Sequence, residues 1–408
     1  MKRHLAPVAA LLISVSILLA GQGLQGTLLP VRATLESFTT LAIGAMGAAY
    51  FLGFTLGCLK GGELIRKVGH VRVFLAMTAL ASVSPLLHGL VVMQWAWGGL
   101  RFVTGFCFAV IYIVIESWLN ERSTNENRGF VFSTYSMITL TVLAVGQMMT
   151  LTYSPTGLHL FVIASVLVSV AAIPVALSDA PSPDAPLFAE VNLKRLLRVS
   201  PTGALGCLAT GLVNGSFWAL APVYTQGASN DVRLAAWFMT SAVLGGALTQ
   251  WPLGAASDRF GRRLVLVGIV VGGGLASAAL VTMSGGGSFA LMSLLGASWG
   301  AMAFPLYAIS VAFANDYADP NEYVNVSSGL LLMYGIGATL GPFVASGLMT
   351  LTDFTGLFLF SGIVYVLLAT TALARSFSRR GEIIEEPVAF KASLAAARTA
   401  SQVYEDEM

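Results

Sequence analysis

The sequence predicts an all-α polytopic membrane protein: twelve transmembrane helices arranged as two six-helix, pseudo-symmetric bundles. Three observations carry that expectation: the composition, the spacing of apolar runs, and an internal repeat. Of 408 residues, 56% are hydrophobic and only 10% charged, with a mean hydropathy of +0.78. A soluble domain carries about 25% charged residues, so there are too few here to cover a water-facing surface of this size. A cytosolic enzyme, a nucleic-acid binder and a disordered chain are excluded on that ground. The net charge of +2 is too small to call for a polyanionic partner. Cys58, Cys107 and Cys207 all lie in apolar runs, which gives neither a disulfide framework nor a metal spacing.

A bilayer crossing needs about 20 apolar residues. Such stretches lie near 7–30, 41–59, 71–93, 95–119, 128–151, 157–177, 202–225, 233–256, 263–284, 287–314, 322–349 and 355–377. The first follows Met-Lys-Arg-His and runs through Gln22 and Gln25 to Pro30 without an Ala-x-Ala cleavage site, so it reads as a retained span. With an even number of spans both termini share a side. All 22 basic residues except Arg32, Arg101 and Arg233 fall on that side. The positive-inside rule then predicts an inner-membrane protein with cytoplasmic termini. The domain reading is an N-terminal bundle over 1–178, a cytoplasmic linker over 179–201, a C-terminal bundle over 202–377, and a cytoplasmic tail over 378–408, expected to be flexible. The linker is Pro-rich, then basic and amphipathic from Phe188 to Val199.

The two halves repeat. One constant offset carries Gln22-Gly23 onto Asn214-Gly215, Pro30-Val31 onto Pro222-Val223, Gly62 onto Gly254 and Gly69 onto Gly261. Beyond the third span the offset is three residues longer and carries Gly105 onto Gly300, Tyr112 onto Tyr307, Asn120 onto Asn315 and Gly146 onto Gly341. Parallel six-span repeats are a recurrent transporter architecture whose substrate site lies near the bilayer midplane.

The segment Gly254-Ala-Ala-Ser-Asp258-Arg259-Phe-Gly261-Arg262-Arg263 resembles the loop motif between the second and third spans of a major facilitator superfamily half. Arg101-Phe-Val-Thr-Gly105 resembles that family's Arg-x-x-x-Gly motif in span four. Ile115-Glu116-Ser117, Asn127-Arg128-Gly129, Gln250-Trp-Pro-Leu-Gly254 and Gly337-Ala-Thr-Leu-Gly341-Pro342 together resemble its YcaD-like bacterial branch. Two departures stand out: Arg66 occupies the position equivalent to Asp258, and Gly146-Gln147 replaces the Gly-Pro typical of the family's exchangers. The resemblance implies a secondary transporter working by rocker-switch alternating access on a small molecule. It also implies that the loop aspartate helps latch the cytoplasmic side.

Ionisable groups inside a membrane are costly and mark functional sites by default. On span four, Arg101, Gly105, Phe108, Tyr112 and Glu116 fall within a stripe about 80° wide, with Arg101 and Glu116 about 22 Å apart along the axis. Arg101 is the candidate anion or gating group and, with Glu116, a coupling candidate. Glu116, the one carboxylate placed within a span, is where proton-driven coupling would titrate. Gln22 and Gln25 in span one and Asn214 and Trp218 in span seven are candidate substrate ligands, as are Arg101, Tyr112, Tyr307 and Tyr334; interhelical hydrogen bonding accounts for the amides equally well. The candidate cytoplasmic gate comprises Gly62, Arg66, Gly69, Arg128, Asp258, Arg259, Gly261, Arg262, Asp316, Asp319 and Glu322, with Arg66 pairing one of the last three acids. The Gly272–274 and Gly285–287 runs lack the strand–loop–helix context of a phosphate loop. No cofactor, metal or nucleic-acid motif is present, no nucleophile–base pair argues for an enzyme, and a monomer is expected.

Arg32 and Arg101 in the outer half favour an anionic or zwitterionic substrate. The aromatic balance favours the alternative of an exporter of amphipathic compounds. A different class, a sensor or assembly factor on a transporter fold, is also compatible with the architecture.

Overall fold

The computed structural model describes residues 2–121, 128–177, 193–229, 231–284, 288–318 and 323–378, without the side chains of 2–10, 128–130, 132–133, 323–324 and 372–378. Asp319, Glu322, most of the linker and the tail lie outside the described residues. So does the side chain of Arg128.

The described chain is helical, with no strand among these residues. The helices are α1 (Lys2–Leu35), α2 (Thr40–Val68), α3 (His70–Leu90), α4 (Gln94–Glu121), α5 (Arg128–Met148), α6 (His159–Val170), α7 (Ala172–Ala176), α8 (Leu193–Val199), α9 (Pro201–Ser229), α10 (Val232–Phe260), α11 (Arg262–Thr282), α12 (Phe289–Ala303), α13 (Pro305–Asn315), α14 (Tyr323–Leu351) and α15 (Gly356–Ser378). Eleven segments among the described residues are long and apolar enough to cross a membrane; the apolar stretch Gly356–Thr371 of α15 is shorter. Two expected spans are each broken into two helices, the sixth at Ala171 and the tenth at Phe304.

At each break a neighbouring hydroxyl meets a backbone carbonyl. Ser14 Oγ on α1 donates to the carbonyl of Ala171. Pro305 has no N–H, which orphans the carbonyl four residues earlier, Ala301; Thr249 Oγ1 on α10 donates to it at 2.7 Å. In lipid an unsatisfied carbonyl costs several kcal/mol, and the Thr249 hydroxyl offsets that cost at Ala301.

The chain divides into two compact units: residues 1–188 with 218–240, and residues 189–217 with 241–408. In the first unit α4 is the central helix, and its extended contact with α2 is built on glycine. A Cβ on Gly53 would lie 2.0 Å from the carbonyl oxygen of Phe102, and one on Gly105 would lie 2.0 Å from that of Tyr50. The α1–α5 crossing is alike: Gly23 faces the Leu143 carbonyl at 2.3 Å and Gly146 that of Ala20 at 2.2 Å.

The second unit repeats both crossings. Gly245 and Gly300 close α10 on α12 against the carbonyls of Ala297 and Ala242, each at 2.1 Å. Gly215 meets Ala338 across α9–α14, and Gly341 meets the Leu212 carbonyl at 2.2 Å. The offsets read from the sequence carry every one of these pairs from the first half to the second. The repeat is therefore a repeat of backbone crossings, which small residues alone permit.

Gly69 and Gly261 have a different duty. Each is the one-residue hinge between helices, α2 to α3 and α10 to α11, at φ +93° and +89°. A Cβ would meet nothing within 4 Å at either position. The constraint is the backbone conformation, which only glycine adopts without strain.

In the second unit α8 lies against the bundle, with Leu196 3% exposed among Ala204, Val311, Val326 and Leu330. Lys194, Arg195, Leu197 and Arg198 are exposed, so this last turn of the linker has the amphipathic character expected of it.

Candidate functional site

Three helices of the first unit bring Gln22, Tyr50, Arg101 and Tyr112 together. Gln22 on α1 bridges two phenols: its Nε2 donates to Tyr50 Oη on α2 at 3.0 Å, and its Oε1 accepts from the Tyr112 hydroxyl on α4. The Arg101 guanidinium lies over the Tyr50 ring, with Cζ 4.1 Å from the centroid. The ring contact extends as a row, Tyr50 to Phe54 at 6.3 Å, Phe54 to Tyr112 at 6.2 Å, and Tyr112 to Phe108 at 6.3 Å. Gln22, Phe54, Arg101 and Tyr112 are half-buried, whereas Tyr50, Phe108 and Glu116 are buried. The local reason for this convergence is the Gly53/Gly105 contact, which brings α2 close enough to α4 for Tyr50 to reach Arg101.

Among the described residues Arg101 makes no ion pair and no side-chain hydrogen bond. A guanidinium carries five N–H donors, and stacking on Tyr50 occupies its face, not its edge. Among the described residues the arrangement thus presents a cation in a membrane helix with no counter-charge and its edge donors unused. Arg32, the other outer-half arginine, differs. It pairs with Glu36 at 2.6 Å and donates from Nη1 to the Pro155 carbonyl at 3.1 Å. It is a structural tie within the first unit, with its charge met by Glu36 rather than left for a ligand.

A second cluster lies in the second unit, at the α10–α11 hinge. Arg262 Nε donates to Asp316 Oδ2 at 2.6 Å, both side chains being almost fully buried. Its Nη1 stands 3.4 Å from Asp258 Oδ1, an ion pair without hydrogen-bond geometry. Three gate candidates are thereby joined within one half, and Asp316 has in Arg262 a partner that the sequence reading did not give it. Arg66 is exposed, and Arg259 lies over the ring of its own neighbour Phe260 at 5.3 Å. Arg262→Met should remove the guanidinium that donates to buried Asp316, at a cost of about 3 kcal/mol or more in folding stability. Arg262→Met with Asp316→Leu should recover most of it, and thermal melts of the two purified variants check this.

The model of the Major Facilitator Superfamily matches residues 11–230 and 203–396. The chain belongs to the major facilitator superfamily. It is 30% identical over 356 residues to the uncharacterised MFS-type transporter YcaD of Salmonella newport (strain SL254), covering 86% of this chain and 90% of that protein. The same values hold for YcaD of Salmonella typhimurium (strain LT2). The YcaD-like resemblance drawn from the motifs is thus shown. Solved structures share the fold at low identity. The nucleoside transporter NupG has a TM-score of 0.76 at 15% identity, covering 90% of this chain and 98% of that one. A bacterial homologue of the human lysosomal transporter Spinster, in an inward-facing and occupied conformation, has a TM-score of 0.71 at 15%, covering 91% and 95%. This member of the superfamily is a multi-pass membrane protein and a secondary transporter.

Of the other candidates in this major facilitator chain, Tyr307 and Tyr334 meet edge to face at 5.1 Å in the second unit. Asn214 is 5% exposed there with its Oδ1 unpartnered. Trp218 groups with the first unit and is half-buried. Gln25 is buried and turned back, its Nε2 donating to the Gly21 carbonyl at 3.3 Å, away from the Gln22 bridge. Gly62 is buried in α2. Tyr50 was not among the sequence candidates. The repeat held its signal: the position equivalent to Tyr50 is Ala242, and that equivalent to Arg101 is Gly296. The guanidinium and its phenol are additions to one half that the shared crossing does not require.

Proposed function

We propose that the protein is a secondary active transporter of the bacterial inner membrane, with both termini cytoplasmic, that moves a small anionic molecule by rocker-switch alternating access. The bundles 1–178 and 202–377 are the moving halves, with 179–201 between them. Arg101 is the anion ligand, and Tyr50, Gln22 and Tyr112 orient the substrate beside it. The observation that carries this reading is the guanidinium of Arg101, stacked on Tyr50 and without an ion pair among the described residues. A membrane protein bears the cost of an uncompensated interior cation when the missing counter-charge is supplied by what it binds. The Asp258–Arg262–Asp316 cluster is read as part of the gate.

Glu116 is the coupling candidate, because it is buried and lies on the same helix stripe as Arg101 and Tyr112. Its test uses proteoliposomes supplied with a metabolite mixture, with uptake read by mass spectrometry under an imposed pH gradient. Glu116→Gln should abolish gradient-driven accumulation while leaving substrate exchange within about twofold of wild type. Undiminished accumulation in the variant would point to another ion or to uniport.

A further inference from the structure

We propose that the substrate is an amphipathic monoanion, an organic acid with one carboxylate or similar anionic group at one end and an aromatic or otherwise flat apolar body. This deepens the reading above and rests on it.

The anionic end is set by Arg101. Its five donors have no acceptor among the described residues, and a carboxylate matches the guanidinium edge in a bidentate fashion. Tyr50 reinforces that end. Its Oη already accepts from Gln22 Nε2, so its proton is directed elsewhere. The charge count is one. Arg101 is the single cation of this cluster, and a second carboxylate on the ligand would be desolvated without a partner, at a cost of several kcal/mol.

The rest of the ligand is set by the aromatic row. From Arg101 it runs over Tyr50, Phe54 and Tyr112, each ring about 6 Å from the next. Phe54 and Tyr112 are half-buried, so part of each ring is open to an occupant. The Tyr112 hydroxyl is spent on Gln22 Oε1, which leaves that ring to act through its face. Rings spaced this way prefer a flat apolar partner stacked or edge-on.

Length prevents a small zwitterion from bridging the two charged groups of this helix. Arg101 and Glu116 are separated by fifteen residues of one helix, about 22 Å. The ammonium and carboxylate of an α-amino acid lie within about 4 Å of each other, far short of that span, so such a molecule held by Arg101 cannot also reach Glu116. The second half makes the same point by contrast. It keeps the equivalent of Gln22 as Asn214 and of Tyr112 as Tyr307, but has Ala242, Gly246 and Gly296 where the first half has Tyr50, Phe54 and Arg101. The repeat has thus been altered at the three positions that make an anionic end joined to an aromatic wall.

The experiment is isothermal titration of the purified full-length protein with four probes: 3-phenylpropionate, its neutral amide, propionate, and the dianion phenylsuccinate. The phenylpropionate monoanion should bind at least tenfold tighter than each of the other three. Arg101→Gln should bring the acid down to the level of the amide, and Arg101→Lys should restore part of the difference. Phe54→Ala should bring phenylpropionate down to the level of propionate. Size-exclusion profiles and melting curves confirm that each variant is folded. Equal binding of acid and amide, tighter binding of the dianion, or no binding of any probe by protein active in vesicles overturns the monoanion assignment and leaves the transporter reading standing. Selective binding of the monoanion without flux across sealed vesicles contradicts the transporter reading and supports the ligand class.

Discussion

Arg101→Gln is expected to lower transport by about 30-fold or more while leaving the protein folded. The two halves of that expectation have separate causes. Removing one member of a buried, hydrogen-bonded charge pair costs about 2–5 kcal/mol of binding, and 2 kcal/mol is already about 30-fold in affinity. The folded protein loses much less, because Arg101 has no ion pair to break among the described residues. What it forfeits is the stacking on Tyr50, about 0.5–2 kcal/mol, partly offset by relief of an unneutralised charge. Initial uptake rates in vesicles, set beside melting curves of the same preparations, separate the two effects. A structural arginine would show the reverse pattern, a large fall in melting temperature with activity per folded molecule unchanged.

Gly105→Ala should destabilise the protein by about 3 kcal/mol, near the top of the range for overpacking. The new methyl would start 2.0 Å from the Tyr50 carbonyl oxygen, and that oxygen belongs to the backbone of α2 and has no rotamer by which to retreat. The helices must separate instead. Gly300→Ala, whose methyl would lie 2.1 Å from the Ala242 carbonyl, should cost about the same because the crossing is the same. The two should differ in function. Spreading α2 from α4 lifts Tyr50 from Arg101, whereas spreading α10 from α12 moves no such pair. Gly26→Ala is the control, since its methyl would meet nothing within 4 Å and alanine is favoured over glycine in a helix. Melting temperatures of the three variants decide the order.

Much of this architecture was legible because membrane crossing and close helix packing each leave a mark on composition. The spans followed from length and apolarity, and the repeat followed from glycines that stand at equivalent crossings, Gly105 with Gly300 and Gly146 with Gly341. Gly69 and Gly261 matched in sequence because both occupy a positive-φ hinge. The two interrupted spans were not foreseen. Pro305 is a breaker in plain sight, but the break is sustained by Thr249 from another helix, a pairing that no local pattern announces. The site was partly legible. The stripe on α4 placed Arg101 and Tyr112 correctly on one helix, and the amide of Gln22 lies between Tyr112 and Tyr50. Tyr50 escaped notice because a tyrosine in an apolar run carries no charge to mark it. Arg32 misled for the opposite reason. A cation near a span end looks the same in sequence whether it awaits a ligand or is paired four residues on with Glu36. Asp316 likewise gains its meaning only through Arg262, which is far away in the chain.

Counterflow in sealed proteoliposomes reads recognition of the anion by Arg101 during transport itself. Vesicles loaded with a millimolar aromatic monocarboxylate and diluted into a trace of the same labelled acid should show transient inward accumulation of label. The transient should vanish with Arg101→Gln and persist with Gly26→Ala. Accumulation unchanged by loss of Arg101 would contradict the account, because a carrier that moves the acid without its guanidinium does not recognise it at the Tyr50–Arg101 pair.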